Sequence, residues 1–356
     1  MPPPPVRAGL IGYGLAGRCF HAPFLATTPG WRMAAIVTGD EERQRQAGRE
    51  HPDARVLPAV DQLWDAAEDL DVIVVATPNR AHVPLGHAAL DAGLAVVIDK
   101  PLAASTTEAR TLIAAARTRG RLLTVFQNRR WDGDFLTVQR LLREGRLGQP
   151  LRFESRFERW RPEPISGWRE QAAPEEAGGL LFDLGSHLVD QALRLFGPAE
   201  SVYAEVDVRR PGVAVDDDTF VALTHGSGVR SHLFMSVMAG QRGPRMRLVG
   251  SLGTYTKFGM DVQEAALRAG RQPDEPGWGE EPEDDWGLVG AGNDLRRVRT
   301  EAGAYQEFYT GVAKALREGA PPPVDPDDAV AALTVIEAAR RSSAERRVIA
   351  VTPSPA

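Results

Sequence analysis

The sequence contains very little lysine, and most of its 42 basic residues are arginine. The lysines are Lys100, Lys257 and Lys314. Lys100 follows the apolar run 94–98 and Asp99, and it precedes Pro101. Arginine keeps its proton in a protein, whereas lysine can release one in a suitable environment. Lys100 is therefore a candidate acid–base group or oriented hydrogen-bond donor at a strand end. The alternative is a surface lysine near a turn.

Cysteine, long apolar runs and excess positive charge are also lacking. The single Cys19 excludes an intramolecular disulfide and a multi-cysteine metal site. No stretch of 18 apolar residues predicts a membrane span. The N-terminal Met-Pro-Pro-Pro-Pro lacks the charged and apolar regions of a signal peptide, so we expect a cytoplasmic protein. The net charge of −6 argues against nucleic-acid binding, which needs clustered cations.

The length of 356 residues suits two domains. Up to residue 125, short apolar runs alternate with helical stretches, as in a doubly wound parallel sheet. The predicted strands are Val6–Ile11, Met33–Val37, Val72–Ala76, Ala95–Ile98 and Leu122–Phe126. We therefore predict an α/β Rossmann domain at residues 1–125.

Residues 126–356 have a different rhythm. A helix is predicted at Leu180–Phe196, and several strand-like runs separated by turn residues follow between positions 201 and 258. This pattern predicts an α+β domain with a large, mainly antiparallel open sheet. The stretch 271–287 carries seven acids and one arginine, and we expect it to be a loop.

A glycine-rich sequence directly follows the first predicted strand. It reads Gly12-Tyr13-Gly14-Leu15-Ala16-Gly17 and opens the first βαβ unit, the context that a dinucleotide-binding loop requires. The first glycine permits the tight turn, the second lets a pyrophosphate approach the backbone, and the third permits close helix–strand packing. The alternative is a glycine-rich turn without a ligand.

The end of the second strand bears on the choice of cofactor. An acid there would bind the ribose of NAD, but Thr38 and Gly39 occupy the expected positions. The Thr38 hydroxyl and the cations Arg43 or Arg45 suit a 2′-phosphate, so we expect NADP, with NAD as the alternative. Asp40 would favour NAD if the strand ended one residue later.

Two further motifs carry candidate chemistry. Thr77-Pro78-Asn79 follows the predicted strand at 72–76, where Asn79 could bind the nicotinamide ribose or cap the next helix. Asp183 and His187 are four residues apart on the predicted helix 180–196 and would share one face. A carboxylate beside an imidazole gives an oriented general base.

Together these motifs resemble the glucose–fructose oxidoreductase / inositol dehydrogenase / MocA family over essentially the full chain. The motifs are Gly12-x-Gly14-x-x-Gly17, Thr77-Pro78-Asn79, Asp99-Lys100-Pro101 and Asp183-x-Gly185-x-His187. Asp99 stands where the family usually has Glu. The strings 12–24, 127–132 and 182–191 resemble its NADP-dependent scyllo-inositol dehydrogenase branch. The resemblance implies a Rossmann domain, an α+β domain, a homodimer or homotetramer, and often a cis Lys-Pro bond.

The resemblance also implies an NAD(P)-dependent dehydrogenase acting on the secondary alcohol of a cyclic polyol or sugar. Lys100 would bond the reacting oxygen, His187 would be the general acid–base, and Asp183 would orient it and bind a neighbouring hydroxyl. His82, Trp168 and Arg169 would lie near the cofactor, and no metal is expected. Arg129, Trp131, Asp132 and Arg159 are candidates for the substrate pocket. The alternatives are a non-catalytic NADP(H)- or sugar-sensing regulator and a relative acting on an aldose or diol.

Overall fold

The computed structural model describes residues 3–164 and 177–351, which fold into two units. The first unit contains Met1–Asn128, Gln263–Trp278 and Ala304–Ala329, and the second contains Arg129–Val262, Gly279–Gly303 and Val330–Ala356. The two-part division at residue 125 predicted from the sequence does not include the two later segments that belong to the first unit.

Aromatic packing explains why two later segments belong to the first unit. Phe24 lies edge-on to Trp278 and to Tyr305, with 6.2 Å between the ring centroids in each pair. Phe126 meets Phe308 edge-on at 4.9 Å between centroids. Such pairs add about 0.5–1.5 kcal/mol each beyond their buried area. The later segments therefore complete the aromatic core of the first unit.

The first unit is built on a parallel sheet. Its strands are β1 (Val6–Ile11), β2 (Trp31–Val37), β3 (Arg55–Leu57), β4 (Val72–Val75), β5 (Ala95–Asp99) and β6 (Leu123–Phe126). They pair in the order β3-β2-β1-β4-β5-β6, and every pair is parallel. All four residues of β4 are buried, as in a strand covered on both faces. The predicted Rossmann sheet is confirmed.

The helices lie between and after these strands. In chain order they are α1 (Ala22–Thr27), α2 (Glu41–Glu50), α3 (Asp61–Trp64), α4 (His82–Asp91), α5 (Thr106–Thr118), α6 (Gly133–Arg143), α7 (Leu180–Asp183), α8 (Gly185–Phe196), α9 (Gln263–Arg268), α10 (Gln306–Glu318) and α11 (Pro326–Glu345). A π-helical stretch, Ala16–His21, directly precedes α1. None of the helices in the described residues is long and apolar enough to cross a membrane.

The second unit is built on a nine-stranded sheet. Its strands are β7 (Pro150–Glu158), β8 (Ala199–Asp207), β9 (Asp218–His225), β10 (Arg230–Ser236), β11 (Met246–Gly250), β12 (Thr254–Lys257), β13 (Gly287–Ala291), β14 (Asp294–Val298) and β15 (Ile349–Ala350). They pair in the order β14-β13-β12-β11-β7-β10-β9-β8-β15, and only β7 and β10 pair in parallel. Burial alternates along β9, so one face of the strand is covered. The predicted, mainly antiparallel sheet is confirmed.

One helix and several strands differ from the sequence prediction. The strands β3 (Arg55–Leu57) and β15 (Ile349–Ala350) were not predicted. The single helix expected at Leu180–Phe196 is wrong, because the chain forms α7 and α8 with a break at Leu184. The strands β12 to β14 were not predicted, and β13 begins at the end of the stretch expected to be a loop. Four of the five residues of the edge strand β14 are exposed, so it lacks the alternating apolar pattern that reveals a half-buried strand.

Candidate functional site

Two glycines, Gly12 and Gly17, fix the turn after β1, and the middle glycine, Gly14, leaves open space beside the backbone. Gly12 has φ +100°, and a Cβ there would lie 2.5 Å from the carbonyl oxygen of Ala76. A Cβ at Gly17 would lie 1.8 Å from the carbonyl oxygen of Gly12. Among the described residues, a Cβ at Gly14 would meet only Nη1 of Arg43, at 3.8 Å. Gly12 and Gly17 therefore serve the turn, and Gly14 leaves space for a ligand against the backbone.

The other residues of the loop have different environments. Tyr13 is buried, and its hydroxyl donates to Glu50 in α2 at 2.5 Å. Leu15 is exposed, and Ala16 begins the π-helical stretch. Burial and the Glu50 carboxylate raise the pKa of Tyr13. Tyr13 thus secures the loop to α2 and stays protonated at neutral pH.

The two residues that directly follow β2 are not acidic, and the next residue, Asp40, is engaged as a helix cap. β2 ends at Val37, so Thr38 and Gly39 follow it directly. Asp40 is the N-cap of α2, where its carboxylate accepts the amide of Arg43 at 2.9 Å. The guanidinium of Arg43 lies on the open side of Gly14. This arrangement turns the nearest carboxylate towards its own helix and places a cation beside the glycine loop.

Three loops lie together at one edge of the first sheet. Since β1 pairs with β4 and β4 pairs with β5 in parallel, their carboxyl ends are adjacent. The glycine loop follows β1, Thr77-Pro78-Asn79 follows β4, and Lys100 follows β5. Asn79 is buried and begins a short 3₁₀ turn, while Pro78 is exposed. Ligands of doubly wound sheets bind at this edge of the sheet.

Lys100 is half-buried and held at its backbone. Its amide donates to Oδ1 of Asp99 at 2.9 Å, and the Lys100–Pro101 bond is cis, as the resemblance implied. Burial opposes the ionisation of Asp99, but His21 and the charges of Lys100 and His82 outweigh it, so the pKa of Asp99 is lowered. The lysine therefore follows a carboxylate that is ionised at neutral pH.

His82 connects two of the loops at the sheet edge. It is fully buried, with Nδ1 2.8 Å from the carbonyl oxygen of Pro101 and Nε2 3.0 Å from that of Thr77. Burial lowers the pKa of His82, and the charge of Asp99 offsets part of this effect. Both ring nitrogens contact backbone oxygens, so the ring supports the loops, and its predicted cofactor contact stays a prediction.

In the second unit, Asp183 and His187 lie on opposite sides of a helix break. α7 ends at Asp183, and the amide of His187 donates to the carbonyl of Leu184 at 3.1 Å. The pair therefore does not share the face of one continuous helix, and that expectation is wrong. Asp183 is half-buried, whereas His187 is 5 % exposed and lies 6.4 Å from the ring of Phe157.

A half-buried carboxylate outside the motif fixes the start of α7. Oδ2 of Asp216 accepts the amide of Leu181 at 2.7 Å and the hydroxyl of Thr219 at 2.9 Å. Gly179 has φ +89°, and a Cβ there would lie 1.9 Å from Oδ1 of Asp216. Gly179 therefore admits the carboxylate that caps the helix. Asp216 was not predicted from the sequence, because nothing in its local sequence links it to a helix start that lies 35 residues earlier.

The ring of Phe157 carries two buried guanidinium groups beside His187. Arg129 lies 4.7 Å and Arg245 4.3 Å from the ring centroid. Arg129 also pairs with Asp132 at 3.4 Å, and Nη1 of Arg245 donates to Ser155 at 2.5 Å. The sequence predicted Arg129 and Asp132 as pocket residues. It did not predict Arg245, which is only 2 % exposed. His187 therefore neighbours a cation-rich cluster with buried acids.

The strings that support the branch resemblance contact each other. Arg130 donates to both carboxylate oxygens of Asp190 in α8, from Nε at 2.8 Å and from Nη2 at 2.5 Å. The side chain of Gln191 donates to the carbonyl of Arg129 at 2.8 Å. These contacts join the segment at 128–132 to the helix that carries His187. These residues therefore have a structural role apart from any contact with a substrate.

The remaining predicted residues are placed as follows. Trp131 is half-buried at the end of a 3₁₀ turn, and Arg159 is half-buried just after β7, where its amide donates to the carbonyl of Ser236 at 2.9 Å. Trp168 and Arg169 lie outside the described residues. The structure thus brings Lys100, the glycine loop and Thr77–Asn79 to one sheet edge in the first unit, and His187, Arg129 and Asp132 to one cluster in the second.

A doubly wound sheet with an open glycine loop and a strand-end lysine defines a dinucleotide-binding protein of the Rossmann class. A family model described as an oxidoreductase family with an NAD-binding Rossmann fold matches residues 6–127. A model of the GFO/IDH/MocA C-terminal domain matches residues 135–256. The chain belongs to the Gfo/Idh/MocA oxidoreductase family, as its motifs indicated.

Relatives match almost the whole chain. It is 34 % identical to scyllo-inositol 2-dehydrogenase (NADP(+)) IolW of Bacillus subtilis, over 97 % of this chain and 95 % of that protein. It is 38 % identical to the oxidoreductase YdgJ of Escherichia coli, over 97 % and 98 %. The structure of the oxidoreductase YPO2259 from Yersinia pestis is similar with a TM-score of 0.91, 36 % identity and 99 % coverage of both chains.

Proposed function

We propose that this protein transfers hydride between an NADP nicotinamide and a secondary alcohol or ketone of a cyclic polyol or sugar, of which inositol is the model. The observation that carries the proposal is the position of Lys100, which follows β5 at the same sheet edge as the glycine loop and Thr77–Asn79. The relative in Bacillus subtilis is named for an inositol and for NADP(+), which supports both the substrate class and the cofactor.

The first unit fits a dinucleotide. The open space at Gly14 admits a pyrophosphate against the backbone, and the helical stretch from Ala16 favours its negative charge. Arg43 beside Gly14 suits a ribose 2′-phosphate, whereas Asp40 is occupied as the cap of α2. An acid that binds the ribose hydroxyls of NAD would have to follow β2 directly, and Thr38 and Gly39 stand there. These features favour NADP over NAD.

The reaction needs a hydride acceptor and a proton acceptor. When bound, the nicotinamide takes or gives the hydride at C4. In our proposal Lys100 donates a hydrogen bond to the reacting oxygen and stabilises its developing negative charge. His187 takes the hydroxyl proton during oxidation and returns it during reduction, and Asp183 binds a neighbouring hydroxyl.

The Lys100→Ala variant tests this role. We expect kcat to fall about 10²–10³-fold, the usual range for loss of one donor that stabilises developing negative charge, while NADPH affinity is retained. Turnover with inositols and aldoses is followed at the nicotinamide absorbance band. The matched control is Lys314→Ala, because Lys314 is an exposed lysine of the same unit. Equal turnover in Lys100→Ala and in the control would refute the proposed role.

The Arg43→Ala variant tests the cofactor assignment. Loss of a charge-assisted contact costs about 1.5–3 kcal/mol, so the Kd for NADPH should rise about tenfold or more while the Kd for NADH stays the same. Fluorescence titration measures both constants. Arg49→Ala, an exposed arginine on the same helix, is the control. Parallel losses of NADPH and NADH affinity would contradict a 2′-phosphate contact.

A further inference from the structure

A buried histidine lies between a tyrosine and the carboxylate that precedes Lys100. Nδ1 of His21 is 2.6 Å from the hydroxyl of Tyr309, and Nε2 is 3.9 Å from Oδ1 of Asp99. His21 and Tyr309 are fully buried, and within the described part of the chain Nε2 of His21 has no hydrogen-bond partner. All of these residues belong to the first unit. The ring thus faces a phenol on one side and a carboxylate on the other.

The neighbours of the ring select its tautomer. Burial and the charge of Asp99 raise the pKa of Tyr309, so the phenol is protonated and can donate to Nδ1. If Nδ1 carried the hydrogen instead, the lone pair of Nε2 would face an ionised carboxylate in a buried site, which is unfavourable. Tyr309 therefore donates to Nδ1, and the N–H of Nε2 points to Asp99. At 3.9 Å this contact is electrostatic rather than a hydrogen bond.

The same carboxylate oxygen that faces His21 holds the backbone of Lys100. Oδ1 of Asp99 accepts the Lys100 amide at 2.9 Å. An Asp side chain that rotated away from His21 would release this amide. The position of the His21 ring thus bears directly on the orientation of the peptide from which the lysine side chain extends.

The backbone before His21 is unusual. His21 is the last residue of the π-helical stretch Ala16–His21, in which the amide of Ala22 donates to the carbonyl of Gly17, five residues back. Such turns account for well under 1 % of residues and occur frequently at functional sites. The stretch begins in the glycine loop, so His21 connects the loop that receives the pyrophosphate with the strand end that carries Lys100.

We propose that His21 is a positioning residue for catalysis: acting through Asp99, it fixes the Lys100 peptide, and Tyr309 fixes the tautomer in which it does so. The catalytic consequence rests on the function proposed above. The positioning itself does not, since it concerns contacts within the first unit that are present whatever the substrate is.

Kinetic variants test the consequence. In His21→Phe, kcat should fall about tenfold to a hundredfold, as for a misplaced catalytic group, with the Kd for NADPH unchanged. His21→Gln should recover most of the loss, because its amide nitrogen can donate to Asp99. Tyr309→Phe should lie between them. The control Thr124→Val removes a different buried hydrogen bond of the same unit, from Thr124 to the carbonyl of Val324, and should match the wild type.

Magnetic resonance tests the positioning without turnover. The ring nitrogen shifts of ¹⁵N-labelled His21, assigned with His21→Gln, should show the hydrogen on Nε2. Exchange of the Lys100 amide with solvent should be faster in His21→Phe than in the wild type and unchanged in Thr124→Val. A hydrogen on Nδ1 alone, or unchanged amide exchange and kcat in His21→Phe, would overturn the inference.

Failure of the proposed function can be told apart from failure of the proposed positioning by His21. If the wild type turns over no polyol or sugar, the proposed function fails, while the tautomer and the amide exchange still decide the positioning. If His21→Phe does not fold, Tyr309→Phe and His21→Gln carry the same comparison, because each retains a side chain of similar size at its position.

Discussion

The two units of the protein hold buried acids in opposite states. In the first unit, Asp99 has a lowered pKa because its contact with His21, with smaller contributions from Lys100 and His82, outweighs the cost of burial. In the second unit, burial raises the pKa of Asp132 well above its usual value, and the acids Asp261 and Asp134 add to the effect against the nearby arginines. Burial alone therefore does not decide the charge of an acid; the balance of its neighbours does.

The difference matches how each site is built. The candidate cofactor site of the first unit is mostly backbone, with open space at Gly14 and loops fixed by the strand ends. The cluster around His187 in the second unit is mostly charged side chains, with Arg129 and Arg245 on the ring of Phe157. Changes at the open position of the first site, Gly14, should alter binding with little loss of stability, and changes to the second site should alter stability first.

The largest effect on stability is expected from Asp190→Asn. Asp190 and Arg130 are 3 % and 9 % exposed, and the variant removes the carboxylate charge that pairs with this buried guanidinium. We expect the free energy of unfolding to fall by about 3–5 kcal/mol, measured by chemical denaturation. Asp294→Asn is the control, because Asp294 and Arg296 form an ion pair whose side chains are 76 % and 75 % exposed. Equal losses of unfolding free energy in Asp190→Asn and Asp294→Asn would contradict the expected difference between buried and exposed ion pairs.

A smaller effect, on binding, is expected from Gly14→Ala. The added methyl fits the protein but occupies the space left for the pyrophosphate, so the Kd for NADPH should rise about tenfold at unchanged thermal stability. Gly48→Ala, in α2 at a position whose Cβ would meet no other element of the described structure within 4 Å, should leave Kd unchanged. Gly17→Ala should instead destabilise the unit, because its Cβ would lie 1.8 Å from a carbonyl oxygen. Unaltered NADPH binding in Gly14→Ala would argue against this loop as the phosphate site.

The smallest effect is expected from Asp132→Asn. Since the folded-state pKa of Asp132 is raised, ionising this acid costs stability as the pH rises above its unfolded pKa of about 3.9. Asparagine resembles the neutral acid, so the unfolding free energy should change by less than about 1 kcal/mol near pH 4. The variant should then gain relative to the wild type as the pH rises. A progressive loss of stability of Asp132→Asn relative to the wild type as the pH rises would mean that Asp132 is held ionised.

The parts that the sequence revealed follow from local rules. The run Val72–Val75 is apolar because both faces of β4 are covered, and Gly12 and Gly17 are spaced by a turn that admits no side chain. The parts that it concealed depend on distant partners. The cap that Asp216 supplies to α7 and the stacking of Arg245 on Phe157 join residues far apart along the chain. The helix predicted at 180–196 is interrupted at Leu184, and the spacing of apolar residues does not reveal an interruption of one residue.

The most direct test of the central proposal is a titration of the purified protein with NADPH and NADH by cofactor fluorescence, followed by an absorbance assay with inositols and aldoses. We predict tighter binding of NADPH than of NADH and turnover that depends on a polyol or sugar. Preference for NADH would contradict the cofactor assignment based on Thr38, Gly39 and Arg43. Tight NADPH binding without turnover on any polyol or sugar would contradict the dehydrogenase proposal and favour a regulator that senses the cofactor.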